Sequence, residues 1–387
     1  MLHTLIRSFI STFHSQLRSL TTSTSPTSLN VHCLNATRSV LRVNGDDCLH
    51  FLQGLITNDT RQLMASVLSP KGKLLHDVFL YQEPGLELPS TNRVLMEVDS
   101  EGKKDMLDIL TRYKLRRQIV IEDVCDTFLV WAKTKSELLT MGVAEREPSS
   151  TPSLPTVRSR VSVQGGVTGG WSVDPRLPEL GWRGVFKVGD VEVGDPSSSD
   201  PQGIAAYRRT RYHHGVAEGM QEMISGNSLP LEFNLDVLNG VSNSLPLEFN
   251  LDVLNGISYT KGCYVGQERI SFSHFRGIIR RRCIPFRISQ PSLLNADLPI
   301  LIEPGSMVRL LGPSEEQVAG TVLAVEGNVG LALLKLSHVK QVADQHEGRL
   351  LVSATDGIMG PDACELQPFR PHWWLPEWGQ EETGSAK

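Results

Sequence analysis

The sequence predicts an α+β protein that ends in a small β-barrel or sandwich, and three observations carry that expectation. Apolar runs of strand period and of helix period mix along the first 283 residues without a regular βαβ beat, which argues against a doubly wound sheet. From about residue 284 the helical period nearly vanishes and short β-rich runs follow one another. A chain of 387 residues also exceeds one ordinary core and suits one large or two to three smaller domains.

The elements follow in order. No Asp or Glu precedes Asp46, and Ser and Thr are abundant. At about 100° per residue, Leu2, Leu5, Ile6, Phe9, Ile10, Phe13, Leu17 and Leu20 share one helical face, with Arg7 and Arg18 opposite. This is the pattern of an organelle transit peptide over 1–30, mitochondrial ahead of plastid; a frayed interfacial helix is the competing reading. No apolar run approaches the ~20 residues that span a bilayer. Residues 39–59 read as a strand, a turn and a short helix ending near Asn58, and 64–81 as a hairpin about Ser69-Pro70-Lys71-Gly72. A strand follows at 93–99, then a helix at 105–115 from the spacing of Met106, Leu107, Leu110 and Tyr113, then strands at 119–124 and 128–133. The Ser/Pro/Gly-rich stretches 144–170 and 194–202 read as surface loops. Strands are expected within 306–312, 318–325, 329–336 and 349–355, and the aromatic tail HWWLPEW (372–378) is expected to pack back onto them.

Composition narrows the function. A net charge of -5 argues against sequence-blind nucleic-acid binding, which needs a strongly basic face. Six cysteines without a CxxC pair suit a reducing compartment, where each thiol is judged singly. No Walker loop, dinucleotide fingerprint or HExxH is present. Adjacent His213 and His214 diverge on any regular element and make a poor metal pair. Arg208, Arg209 and Arg211, or Arg116 and Arg117, could receive a carboxylate, although solvated helix faces are the commoner origin of such runs.

Reactive groups crowd together in KGCYVGQE, Lys261 to Glu268. Gly262 and Gly266 permit backbone angles and close approaches that a Cβ forbids, so Cys263 can sit at the rim of a tight turn. The Lys261 ammonium, and free N–H groups if a helix begins here, would favour the thiolate, a nucleophile or a soft metal ligand. An inert cysteine buried on a turn is the alternative.

This octapeptide and the PLEFNLDVLNGISYT that precedes it resemble the YgfZ/GcvT-related family, in particular its mitochondrial members that assist iron–sulfur cluster assembly. The resemblance extends through FLQGLITND, SPKGKLLHDVFLY, YKLRR, YRRTRYHHGVAEG and GNVGLALL. It implies a folate-binding-type fold over 31–283, a C-terminal β-barrel over 284–356 and a tail over 357–387. It also implies a role in maturing [4Fe-4S] proteins with A-type scaffold partners in the mitochondrial matrix. Cys263 is then the critical residue, with Lys261 beside it. Tetrahydrofolate is the candidate ligand, facing Glu248, Asn250, Asn255, Asn58, Asp77, Gln267 and Glu268. One departure stands out: Gln267-Glu268-Arg269-Ile270-Ser271-Phe272 puts Phe272 where many relatives carry Arg.

A cluster normally takes four protein ligands, mostly thiolates, and this motif offers one. The expectation is therefore that Cys263 serves as a ligand to a cluster shared with a partner. A tetrahydrofolate-dependent one-carbon transferase is the competing reading, and a thiol redox catalyst the third, which lacks a nearby resolving cysteine.

NSLPLEFNLDVLNG occurs at 227–240 and again at 243–256, within a duplicated segment 227–258. Both copies offer the same side chains to one slot, so tethering decides between them. The second copy runs directly into Lys261; the first would need sixteen extra residues to reach it. Looping out the first is survivable, at about 0.6 kcal/mol per doubling of loop length. The working residues are therefore expected in the second copy, with Glu232 and its neighbours displaced.

Overall fold

The computed structural model describes residues 29–83, 92–135, 170–190, 201–223, 244–289, 302–312, 316–352, 363–375 and 378. The leader up to 28, the loops 144–169 and 194–200 and the whole first copy 227–240 lie outside these residues. Strand β1 (Leu29–Cys33) begins inside the segment 1–30 expected for the leader, and Leu29 and Asn30 pair with Lys135 and Thr134.

Two open sheets and a barrel make up the described molecule. The first sheet has the order β3-β4-β5-β2-β6, built from β2 (Arg38–Asn44), β3 (Met64–Leu68), β4 (Leu74–Gln82), β5 (Arg93–Asp99) and β6 (Val120–Asp123). The second has the order β1-β7-β9-β8, with β7 (Phe128–Lys135), β8 (Trp171–Val173) and β9 (Trp182–Lys187). Their pairings are antiparallel, as the missing βαβ beat predicts. The β3–β4 hairpin turns at Ser69–Lys73, where Ser69 N donates to Lys73 O at 2.9 Å.

Helix α1 (Cys48–Gln53) buries Cys48, Phe51 and Leu52 against the first sheet, and α2 (Lys103–Lys114) buries Met106, Ile109 and Leu110. The first is shorter than its sequence suggests. It stops at Gly54 because the chain from 53 to 58 bends to present carbonyls to Lys261, as described below. Helix α3 (Pro201–His213) and the short α4 (Gly219–Glu222) lead towards the duplicated region, and α5 (Gln267–Arg276) follows the cysteine motif.

The barrel is closed, in the order β10-β13-β12-β11-β14-β15. Its strands are β10 (Arg281–Ser289), β11 (Met307–Leu311), β12 (Glu316–Glu326), β13 (Val329–Lys335), β14 (Arg349–Val352) and β15 (Cys364–Pro368). Closure removes the exposed edges that an open sheet of this size would leave. One helix, α6 (Leu336–Ala343), is an element the strand-rich sequence reading missed; Leu336 and Val339 supply its apolar stripe. The tail packs back as expected. Trp373 and Trp374 are buried with the barrel core, Trp373 donates to His214 O at 2.9 Å, and the Arg282 guanidinium lies 3.4 Å from the Trp378 ring centre.

Candidate functional site

The motif loop is bolted to the chain that follows α1. Lys261 Nζ donates to the carbonyls of Gln53 (2.7 Å), Ile56 (2.6 Å) and Asn58 (2.8 Å). Ser258 N donates to Thr57 O, Val265 N donates to Gly54 O, and Thr57 Oγ1 donates to Gly256 O at 2.6 Å. Burial lowers the Lys261 pKa to about 8, against a smaller opposing pull from Asp59. An ammonium has three N–H donors, and all three are used here. Lys261 therefore holds the loop in place and has no donor left for Cys263.

Gly266 ends the loop at φ +82, and a Cβ there would meet Ser69 O at 2.6 Å, so the β3–β4 turn and the start of α5 touch backbone to backbone. Gly262 is different: a Cβ there would meet nothing within 4 Å and its φ is not positive, so the expected steric need falls on Gly266 alone. Cys263 stands exposed between them. Helix α5 begins only at Gln267, so Cys263 lies before its first turn. Cys33, Cys48, Cys283 and Cys364 are buried. Burial raises the thiol pKa of Cys33 and Cys283 and pushes that of Cys48 up to about 11, which keeps them neutral. Cys125 is half-buried, 3.8 Å from Lys103 Nζ.

The second copy occupies the slot beside this loop. Leu247, Phe249, Leu251 and Leu254 are each 1% exposed. Its polar residues serve the protein itself. Glu248 accepts from Leu245 N at 2.9 Å and pairs with Arg281 at 2.9 Å. Asn250 takes a left-handed turn at φ 63, donates to Cys283 O at 2.8 Å and accepts from Arg282 at 3.2 Å. Asn255, at φ 58, donates to Pro175 O and accepts at its carbonyl from Asn58 Nδ2 at 2.7 Å. Asp77 is buried on β4 against Arg38 at 3.2 Å. Gln267 is half-buried and Glu268 exposed at the start of α5. The residues expected to face a pterin are thus largely spent on protein contacts. A cavity of about 60 Å³ between β2, α3 and α4 is lined by none of them, and it is well short of the ~300 Å³ of a small-molecule pocket.

Two features escaped the sequence reading. Between the two open sheets lies a buried ionic network: Glu97 pairs with Arg38 (2.6 Å) and Arg183, and Glu218 with Arg176 (2.7 Å) and Arg183 (2.9 Å). Tyr207 donates to Glu218, Tyr81 donates to Glu97, and three guanidiniums stand within 6 Å of the Phe79 ring. Burial opposes ionisation of Glu218, but Arg183, Arg176 and Arg211 outweigh it and hold the carboxyl well below its usual range. Arg211, read as surface or ligand-binding, is instead 3% exposed and paired with Glu222 at 2.6 Å. A single charge inside an apolar strand run, as in RVLMEVD or LLHDVFLY, is the signal that could have found this network. The second feature is exposed: Phe272, Phe275 and Ile278 are 61%, 68% and 75% accessible. Phe272 is the departure within the motif; Phe275, three residues on, lies on the same side of the helix.

Comparison with known proteins adds three findings. Residues 280–376 match the family model for the CAF17 C-terminal beta-barrel domain, which coincides with the closed barrel. The chain is 30% identical over 358 residues to the Homo sapiens mitochondrial iron-sulfur cluster assembly factor IBA57, covering 87% of this chain and 83% of that protein. It is 27% identical over 382 residues to the IBA57 homolog of Mycosarcoma maydis, with the same coverage. The fold resembles that of the glycine cleavage system aminomethyltransferase T from Bartonella henselae, with a TM-score of 0.51 over 89% of this chain and 86% of that one, at 11% identity. This last likeness concerns the fold alone.

Proposed function

This chain belongs to the IBA57 family of mitochondrial iron-sulfur cluster assembly factors, and we propose that it works by lending the Cys263 thiolate to a cluster whose other ligands come from a partner. The observation that carries the reading is geometric. Of six free cysteines one is exposed, on a loop that Lys261 and Gly266 fix to the body of the protein. One thiolate falls short of the ligand set a cluster needs, and no group of three or more His, Cys, Asp or Glu residues that could hold a metal occurs among the described residues. The cluster is cargo, handed on in the maturation of [4Fe-4S] proteins, and an A-type scaffold protein is the partner whose thiolates would complete it. The protein acts in mitochondria, as its relatives do.

Tetrahydrofolate enters no step of this mechanism. A folate-dependent transferase rests on the shared fold, while Asn58, Asp77, Asn250 and Asn255 are engaged with the protein itself. Replacing Cys263 with Ala or Ser and assaying maturation of a [4Fe-4S] enzyme beside tetrahydrofolate binding tests both readings. Loss of maturation is expected. Full maturation by Cys263→Ala, or a stable cluster on the purified native chain without a partner, would overturn the proposal.

A further inference from the structure

We propose that the two copies of the doubled segment are interchangeable occupants of one slot, so that 227–242 can displace 243–258 while the Cys263 loop stays mounted. The copies differ at a single position, Val241 against Ile257. Around the seated copy, Glu248 meets Arg281, Asn250 meets Arg282 and the Cys283 carbonyl, and Asp252 meets Arg282 at 3.0 Å. Asn255 meets Asn58 and the Pro175 carbonyl, and Gly256 O accepts from Thr57. None of these partners lies in the repeat, and the repeat residues that meet them have twins in Glu232, Asn234, Asp236, Asn239 and Gly240. Leu231, Phe233, Leu235 and Leu238 likewise match the four buried apolar side chains of the seated copy. Asn234 and Asn239 also repeat the residue type at both left-handed turns, which few side chains tolerate.

What separates the two arrangements is small. Ile257 is 7% exposed, and Val241 in its place lacks one methyl group. The other difference is where the extra sixteen residues fall, either between α4 and the slot or between the slot and Tyr259. Loop cost rises only with the logarithm of length. Together these favour the second copy by roughly ten- to a hundredfold. Phe249→Ser removes a ring that is 1% exposed, a loss worth about a hundredfold or more, which is enough to pass the slot to the first copy. The anchors of the motif loop belong to neither copy. Lys261 binds the carbonyls of Gln53, Ile56 and Asn58, Val265 N donates to Gly54 O, and Gly266 abuts Ser69. Cys263 therefore keeps its mounting whichever copy is seated.

Thermal melts of the full chain and of a chain lacking 227–242 test the exchange. Phe249→Ser is expected to lower the unfolding midpoint of the full chain by less than half of what it takes from the shortened one, or to leave only the shortened one without a cooperative transition. Phe233→Ser should leave the full chain's midpoint unchanged. With both substitutions, the full chain should fall as far as the shortened chain bearing Phe249→Ser. A single serine also gives the two copies different peptide masses, so hydrogen exchange read by mass spectrometry shows which one is seated. The copy that keeps its phenylalanine should be the protected one, 227–240 in Phe249→Ser and 243–256 in Phe233→Ser. Equal midpoint losses in the two chains, or an unprotected 227–240 in Phe249→Ser, overturn the exchange. So does a Phe249→Ser dimer in light scattering, which would seat the first copy in another molecule. Maturation of a [4Fe-4S] enzyme should survive Phe249→Ser in the full chain; its loss there with 227–240 protected overturns the separate mounting of Cys263.

Discussion

Lys261 and Gly266 explain how a lone cysteine can be both exposed and held in place. Neither touches the cluster chemistry; each removes freedom from the loop that carries Cys263. Lys261→Met would leave three carbonyls without their donor, at a cost of about 1–3 kcal/mol for each one kept from water. We expect lower stability in urea and slower cluster transfer with the thiol intact. The two motif glycines should separate cleanly. Gly266→Ala must take a left-handed angle, about 1–2 kcal/mol, and meet Ser69 O as well, whereas Gly262→Ala points into open space and should stay within about 0.5 kcal/mol of native. Urea melts of the two variants check this. The sequence led to the expectation that both glycines serve a tight loop; it could not show that only Gly266 does, because the obstructing Ser69 O belongs to a hairpin far away in the chain.

At the level of elements, the buried arginines act as ties between sheets. Glu97 on β5 receives Arg38 from β2 and Arg183 from β9, so removing it leaves each desolvated cation with a single carboxylate, Asp77 for Arg38 and Glu218 for Arg183. Glu97→Gln should lower stability by about 3–5 kcal/mol by calorimetry, while exposed Arg61→Ala should change it little. The junction between α3 and the tail predicts an acid limb. Burial, reinforced by the charge of His372 and His213 and only partly offset by Glu179, lowers the His214 pKa to about 4. Its folded value lies below the ordinary 6.5, so between these two values the unfolded chain takes up a proton that the folded chain refuses. Stability should therefore fall as pH drops from about 6.5 to 4. His214→Phe, which replaces a ring whose Nε2 has no hydrogen-bond partner, should remove a share of that fall on the order of 2 kcal/mol. Most strands were legible because their apolar period is local. Helix α6 was not, since eight residues between strands give too few turns for a period to stand out.

For the whole molecule, the doubled segment poses the question of which copy the fold uses. The second lies in the core with Leu247, Phe249 and Leu254 buried, and its Ile257 leads into the motif loop without a break. Deleting 227–242 should therefore leave [4Fe-4S] maturation intact and hold or raise the unfolding midpoint, because the second copy already fills the slot and the deletion only removes duplicate apolar residues. Lost maturation in that deletion would show the wrong copy was chosen. By itself the sequence determined the α+β class, the C-terminal barrel and the family, because periodicity, composition and a contiguous motif are written in neighbouring residues. Tertiary structure alone decided that Lys261 serves carbonyls instead of the thiol, that Arg211 is buried, and that Phe272, Phe275 and Ile278 are exposed. Those facts depend on which distant chain a side chain meets, and no local pattern encodes the meeting.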